Sequence, residues 1–599
     1  MADLKWWQTA VFYQIYPRSF ADGNGDGIGD FKGMLEKLDY LSDLGVDALW
    51  LSPHFPSTNW DCGYDISDYT DVASEYGTLE DFKTFLRAAH TRGIRVILDL
   101  VLNHTSDEHA WFIESKSSRD NPKADWYVWV DSPLPMGDRE ASRSEAKGGP
   151  GVRVPPNNWQ SCFDGEAWTY VPERGQYYYH YFMKQQPDLN WHNPEVRKAM
   201  WEAVRFWLDL GVDGYRLDAI GTILEDPKLT PHDVPFDLAG IRRASELART
   251  PAEKKQIEKY WYDMFKHQWA QPGMHELMKE LRAVVDEYDG DRLLVAEDEN
   301  IAYLGNGNDE LHLVFNFPLM RTDRITPSHV RRNQKERLTQ LEALPAVRGW
   351  PCNTLGNHDT SRLYTRYCDR QHDAELARLH AALVLTLKGT PFLYNGEEIG
   401  MTDLVITDPA KLRDTMATWY YDRLVNELKV DPQEAALRAG EMSRDKNRTP
   451  MQWSNNPNAG FAPHNVETWL PVNPNYRNGI NVRDQQHNPS SLLNYYKHLL
   501  QTRKESAALI AGEYIPLHNT AKDYLAFVRK SEDQTILVIL NFSEKKLDLD
   551  FSRTREIKGR SLQILFSSAE RLKTVKPPYG LAISPFEVFI AAAQAKAKT

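Results

Sequence analysis

A (β/α)8 TIM barrel of the α/β class, with a lid subdomain after its third strand and a C-terminal antiparallel β-sandwich domain, is what this chain encodes. Three observations predict it. Short apolar runs alternate with segments of helical periodicity, and a βαβα series builds a parallel sheet. Three of those runs, far apart in sequence, end in a carboxylate: Asp218, Glu297 and Asp359. Buried parallel strands read as such runs, and in a barrel their C-terminal ends share one mouth. Beyond about residue 508 the pattern changes to short alternating strands, the mark of an antiparallel domain.

Residues 11–16, aromatic or β-branched but for Gln14, predict the first strand. Met34, Leu35, Leu38, Leu41 and Leu44 recur at helical intervals, so one helix is expected over 31–44. Strands follow at 48–53 and 95–101, separated by an amphipathic helix at 79–92. From 104 to 175 the chain is rich in Ser, Pro, Gly and Trp, including Gly148-Gly149-Pro150-Gly151. A barrel loop of that length is a lid or a small subdomain. The barrel resumes with a helix at 194–210 and the strand ending at Asp218. A polar helical insert at about 222–272 follows and should overhang the mouth. A second excursion, about 400–480, follows the apolar run 391–396, and 490–504 reads as the closing helix. The barrel is therefore assigned to 1–103 and 176–507, the lid to 104–175 and the β domain to 508–599, with 591–599 expected to fray.

The net charge of −13 argues against nucleic-acid or anionic-membrane partners. The start lacks an apolar signal core, and no stretch of about eighteen apolar residues exists to span a membrane. Cys62, Cys162, Cys352 and Cys368 show no C-x-x-C spacing. Zinc or dithiol chemistry is not expected, and four free thiols suit a reducing, cytoplasmic location.

Paired carboxylates at a barrel mouth are the equipment for breaking glycosidic bonds. Arg216 lies on the same strand face as Asp218, and a neighbouring guanidinium keeps a carboxylate ionised. Glu297 ends an almost wholly apolar strand, where desolvation raises a carboxyl pKa and suits it to general acid work. Asp359 follows Asn357 and His358, and Asp99 with Asn103 and His104 forms a similar strand end. Each has an ordinary structural explanation taken singly: an R-x-D ion pair, a salt-bridged Glu, an Asx turn, a core histidine.

Their conjunction is what discriminates. Residues 99–104, Gly214-Tyr215-Arg216-Leu217-Asp218, Glu297 and Asn357-His358-Asp359 occur in the order and setting of the four signature regions of the α-amylase family, glycoside hydrolase family 13. The resemblance runs from Gln14-Ile15-Tyr16-Pro17-Arg18-Ser19-Phe20 to the β domain. Finer motifs resemble the α-glucosidase and oligo-1,6-glucosidase branch: Asp61-Cys62-Gly63-Tyr64-Asp65, Gln186-Pro187-Asp188-Leu189-Asn190-Trp191, and Arg444-Asp445 with Arg448-Thr449-Pro450-Met451-Gln452-Trp453. This likeness implies Asp218 as nucleophile, Glu297 as general acid/base and Asp359 as transition-state stabiliser. It implies that Asp61 and Arg448 clamp the terminal 4-hydroxyl of a small oligosaccharide, closing the pocket behind one glucose. Tyr64, Phe163 and Phe182 would pack on the sugar. His104, Gln186, Arg216, His358 and Arg444 would bind it. The mechanism implied is retaining, with the two carboxyls roughly 5–5.5 Å apart. Ala219, directly after the nucleophile, leaves room that a Val would fill, which in this branch goes with α-1,4 rather than α-1,6 preference.

Asp22-Gly23-Asn24-Gly25-Asp26-Gly27-Ile28-Gly29-Asp30 places oxygen donors at alternate positions, like the start of an EF-hand loop, but Gly33 stands where the twelfth-position Glu would be. By the same resemblance Asp22, Asn24, Asp26, Asp30 and the Ile28 carbonyl would hold a structural Ca²⁺ or Mg²⁺; a solvated turn is the alternative. Two rivals remain. One is a transglucosylase or sucrose isomerase of the same family, whose Arg-Leu-Asp-Arg-Asp stretch is matched only partly by Arg321-Thr322-Asp323-Arg324-Ile325. The other is a barrel that has lost its chemistry and serves as a binding protein.

Overall fold

The computed structural model describes residues 4–131, 154–163, 165–572, 574–575 and 580–594. The glycine run at 148–151 and the last five residues lie outside that set. Eight strands form one parallel sheet: β1 (Phe12–Ile15), β2 (Ala48–Leu51), β3 (Arg95–Val101), β4 (Gly214–Asp218), β5 (Leu293–Ala296), β6 (Leu313–Val314), β7 (Cys352–Asn353) and β8 (Thr390–Tyr394). Their order is β6-β5-β4-β3-β2-β1-β8-β7. A parallel bridge from Phe315, just past β6, to Cys352 closes the sheet into a barrel. Nearly every strand residue is buried, because helices cover the outside and side chains fill the inside.

The register sets the mouth. Val101 pairs with Asp218 across β3 and β4. Ala296 pairs with Leu217 across β4 and β5, and the Glu297 N–H donates to the Leu217 carbonyl at 2.8 Å. Asp218 and Glu297 are thus lateral neighbours on adjacent strands, which run roughly 4.8 Å apart. Asp359 does not end a strand: β7 stops at Asn353, and residues 354–359 form a turn beyond it. Thr354 Oγ1 accepts from Gly356 N–H, and Asn357 Oδ1 accepts from Asp359 N–H at 3.0 Å, so side chains take over from the ladder there.

The helix expected over 31–44 is two, α1 (Phe31–Glu36) and α2 (Leu38–Leu44), broken at Lys37. The break lets α1 lean on α3 (Leu79–Thr91) and α2 on the last barrel helix. α3 begins in a capping box, Thr78 with Asp81. α4 (Pro194–Asp209) is capped by Asn193 with proline at its first position. The first insert supplies α5 (Leu238–Leu247) and α6 (Pro251–Phe265); the second supplies α7 (Thr415–Asn426) and α8 (Pro432–Met442); α9 (Leu492–Lys504) closes the barrel.

In the lid, the strands Trp129–Asp131, Gln176–Tyr179 and Trp168–Val171 pair antiparallel in that order. Its core of Trp159, Trp168, Tyr177 and Tyr179 is shared with Leu238, Ile241, Met264 and Phe265 of the first insert, so lid and insert are one packed unit. The C-terminal domain has β9 (Glu513–Leu517), β10 (Tyr524–Lys530), β11 (Thr535–Asn541), β12 (Leu547–Asp550), β13 (Leu562–Ser567), β14 (Thr574–Val575), β15 (Gly580–Ile583) and β16 (Val588–Ala593). Six make a sheet ordered β9-β10-β11-β16-β13-β14; β12 and β15 make the second. Alternation divides β10: Leu525 and Phe527 join the barrel core, while Ala526 and Val528 face the small sheet. Residues 591–593 do not fray: they end β16, where Ala591 pairs with Leu537 and is fully buried.

Candidate active site

Arg216 organises the mouth. Its side chain is fully buried. Nη1 donates to Asp99 Oδ1 and to Asp218 Oδ1, each at 2.6 Å. Nη2 makes an ion-pair contact with Glu297 Oε2 at 2.9 Å. The guanidinium lies over the Trp50 ring at 5.0 Å. Burial disfavours the cation, but Asp99 and Glu297 more than offset this and hold Arg216 protonated.

Burial also raises Asp218 and Glu297, against the pull of Arg216; Glu297 raises Asp218 further, and Asp359 raises Glu297, whereas the hydrogen bond from Asp218 lowers Glu297. Burial lifts Asp99 to about 6 although Arg216 and the Trp50 indole N–H favour its charge. Just past β4 the chain turns at Ala219, a non-glycine residue with φ 39° and ψ 43°. That turn aims the Ala219 N–H at Glu297 Oε2, 3.2 Å away.

Asp359 sits opposite. Arg448 Nη2 donates to it at 2.6 Å, Arg444 Nη1 lies 3.6 Å away and His358 Nε2 3.2 Å away. Burial alone would raise this carboxyl, but His358, Arg448 and Arg444 together hold it well below the usual range. Burial keeps His358 neutral. Its ring is gripped by Gln14 Nε2 at 2.7 Å and by the Tyr64 hydroxyl at 2.5 Å, and Tyr64 stacks on it at 5.6 Å. The Tyr64 hydroxyl also lies 3.2 Å from Asp99 Oδ2.

The lid side is aromatic. Phe182 packs edge-on to His104 at 5.0 Å and against Phe163 at 5.4 Å. His104, kept neutral by burial at about 3, contacts Gln186 Nε2 at 3.0 Å, and Gln186 Nε2 donates to Asp61 Oδ2 at 3.3 Å.

The geometry alters one assignment. Asp61 Oδ1 accepts from Arg444 Nη2 at 2.8 Å, not from Arg448. Arg448 is fully buried, its Nε on the His358 carbonyl at 3.0 Å and its guanidinium over Tyr16 at 5.3 Å. The single 3₁₀ turn Arg444–Asn447 lies between them. It directs Arg444 toward Asp61 and the Phe163 ring and Arg448 inward beneath Asp359. Asp99 opens the first signature stretch with no role assigned to it there, and one further contributor escapes the motif reading. Asp414, fully buried on Arg444, carries no motif; its sole signal is an Asp before a helical period, which marks an N-cap.

The loop Asp22–Asp30 wraps its oxygens around its own backbone. Asp22 accepts from Gly25 and Gly27 N–H at 2.5 and 2.9 Å, Asp26 from Ile28 at 2.8 Å, and Asp30 from Gly33 and Asn24 at 2.6 and 2.9 Å. Among the described residues, no three Asp, Glu, His or Cys side chains converge as a metal site. An all-oxygen set drawing on Asn24 and the Ile28 carbonyl suits only a hard cation, and each carboxylate oxygen has a second lone pair to offer.

Residues 14–512 match the model of the α-amylase catalytic domain, and 515–590 match the maltogenic amylase C-terminal domain. An oligo-1,6-glucosidase of Parageobacillus thermoglucosidasius is 40% identical over 553 residues, covering 90% of this chain and 91% of its own. An α-glucosidase of Pediococcus pentosaceus is 38% identical over 536 residues, covering 86% and 87%. Among solved structures, the isomaltulose synthase of Protaminobacter rubrum superposes with a TM-score of 0.82 at 33% identity, over 99% of this chain and all of that one. With three acids at one barrel mouth and a family match over most of its length, the chain belongs to the α-amylase family of glycoside hydrolases, family 13.

Proposed function

We propose that this enzyme is a retaining, exo-acting α-glucosidase that releases glucose from the non-reducing end of short α-glucosides, α-1,4-linked ones such as maltose before α-1,6, and sucrose. The observation that carries the reading is the placement of Asp218 and Glu297 on adjacent ladder positions, bridged by Arg216. Asp218, closer to the guanidinium than Glu297, attacks the anomeric carbon. Glu297 protonates the leaving oxygen, then deprotonates the water that opens the β-glucosyl-enzyme. Asp359, held ionised, faces the positive charge that develops on the sugar ring. Asp61 with Arg444 closes the pocket behind one glucose, and Arg448 supports Asp359.

Proton NMR of the first glucose released from maltose tests this. The α-anomer is expected; the β-anomer overturns the retaining mechanism. A rate on starch far above that on maltose overturns the closed pocket. The isomaltulose synthase likeness favours one further reading, capture of the glucosyl-enzyme by a sugar hydroxyl. Product analysis on sucrose decides: glucose and fructose for hydrolysis, a rearranged disaccharide for isomerisation.

We further propose a structural role for Ca²⁺ or Mg²⁺ at Asp22, Asn24, Asp26, Asp30 and the Ile28 carbonyl. Millimolar Ca²⁺ should raise the melting temperature, and Asp26→Ala should remove that response. Cys62, Cys352 and Cys368 carry free thiols, which supports a reducing, cytoplasmic setting. No helix among the described residues is long and apolar enough to cross a membrane.

A further inference from the structure

Asp414 lies in the second insert, far from every motif, yet it is bound to the centre of the site. The residue is 1% exposed and its side chain is fully buried. Oδ2 accepts from the Arg444 N–H at 2.8 Å and from Nε at 3.1 Å, while Oδ1 accepts from Nη2 at 2.9 Å. The same carboxylate caps α7 by accepting from Met416 N–H at 3.2 Å. This two-point grip on Nε and Nη2 holds the plane of the guanidinium, as a fork meets a carboxylate. The rest of Arg444 is thereby aimed: Nη2 also reaches Asp61, Nη1 points toward Asp359, and the face lies on Phe163 at 5.1 Å. Beside it, Thr415 Oγ1 donates to the Trp60 carbonyl, so the start of α7 is tied to the loop that carries Asp61.

We propose that Asp414 is a positioning residue for the glucose clamp: it orients Arg444 toward Asp61 and so couples the second insert to recognition of the terminal sugar. The proposal rests on the Asp61–Arg444 clamp described above. A clamp on a sugar hydroxyl remote from the broken bond acts alike on bound substrate and transition state, and its loss appears in KM rather than kcat. A carboxylate that merely capped a helix would change neither.

The test compares Asp414→Ser, Asp414→Asn, Arg444→Ala and the double variant Asp414→Asn/Arg444→Ala with maltose and an aryl α-glucoside. Serine retains the cap and removes the grip; asparagine keeps the shape and removes the charge. Both single Asp414 variants should raise KM about tenfold and leave kcat within about threefold. The double variant should be no worse than Arg444→Ala alone, since a residue that acts through another adds nothing once that partner is gone. Unchanged KM in Asp414→Ser and Asp414→Asn, with Arg444→Ala raising it, overturns the positioning role alone. A further rise in the double variant also overturns it. Unchanged KM in Arg444→Ala overturns the clamp itself.

Discussion

Arg216 shows how one side chain can set the charge of a site. It reaches three carboxylates from a fully buried position, and burial drives Glu297 upward while the guanidinium restrains it. The sign of the pH dependence follows. Glu297 must be protonated to act as acid, and its pKa lies above the ordinary 4.5. Activity is therefore lost as pH rises through that raised value, and lost on the acid side as Asp218, also raised and needed ionised for attack, takes up its proton. Glu297→Gln should abolish this alkaline limb of kcat/KM and cost about 10²–10⁴-fold on maltose, with a smaller loss on an aryl glucoside whose leaving group needs no proton; a pH–rate profile checks both. Ala219 acts through space. Its Cβ stands beside the nucleophile in a left-handed turn. Ala219→Val should lower maltose turnover relative to isomaltose by about tenfold, since a pocket methyl is worth about 1–3 kcal/mol. An unchanged ratio refutes the linkage assignment.

The strands position these acids through their register, and Gly214 guards one register. It begins β4 with φ 145°, and a Cβ there would meet Leu293 backbone atoms at 2.2 to 2.8 Å. Gly214→Ala should destabilise by roughly 3 kcal/mol, read as a lower denaturant midpoint. Because Asp218 ends that strand, kcat should fall as well. A variant of wild-type stability and activity would show that the close approach of β4 and β5 is not needed. The element boundaries misjudged from sequence share a cause. The break at Lys37 divides a continuous apolar period because α1 and α2 meet different partners. The Asp359 loop reads as a strand because it is buried, yet its hydrogen bonds are made by Thr354 and Asn357 side chains.

Across the molecule, one sheet joins catalysis to the C-terminal domain. Every residue of β11 is buried, with Ile536, Val538 and Leu540 in the barrel core and Leu537 and Ile539 under the small sheet. Arg529 Nη1 donates to the Thr386 carbonyl at 2.6 Å, adding a buried polar tie. Truncation after Gly512 would uncover the barrel side of this seam. The shortened chain should aggregate, as exposed apolar patches do, whereas a soluble, active fragment on size exclusion would show the domain to be dispensable. The lid and first insert also share a core, so variants in Phe265 or Trp159 should disturb both together.

Periodicity and the acids that end its apolar runs made the barrel legible, and the change of period near residue 508 the sandwich, because strands buried on both faces and helices buried on one leave different apolar spacings. The strand-end acids were legible for a related reason: a carboxylate that closes an apolar run needs a use. Contacts between distant segments decided the rest. Nothing local tells Arg444 from Arg448, four residues apart, yet one turn sends the first to Asp61 and the second beneath Asp359. Asp414 meets Arg444 across thirty residues of insert with no pattern linking them. Such pairings follow from how the inserts pack on the mouth, and a linear pattern carries no measure of that.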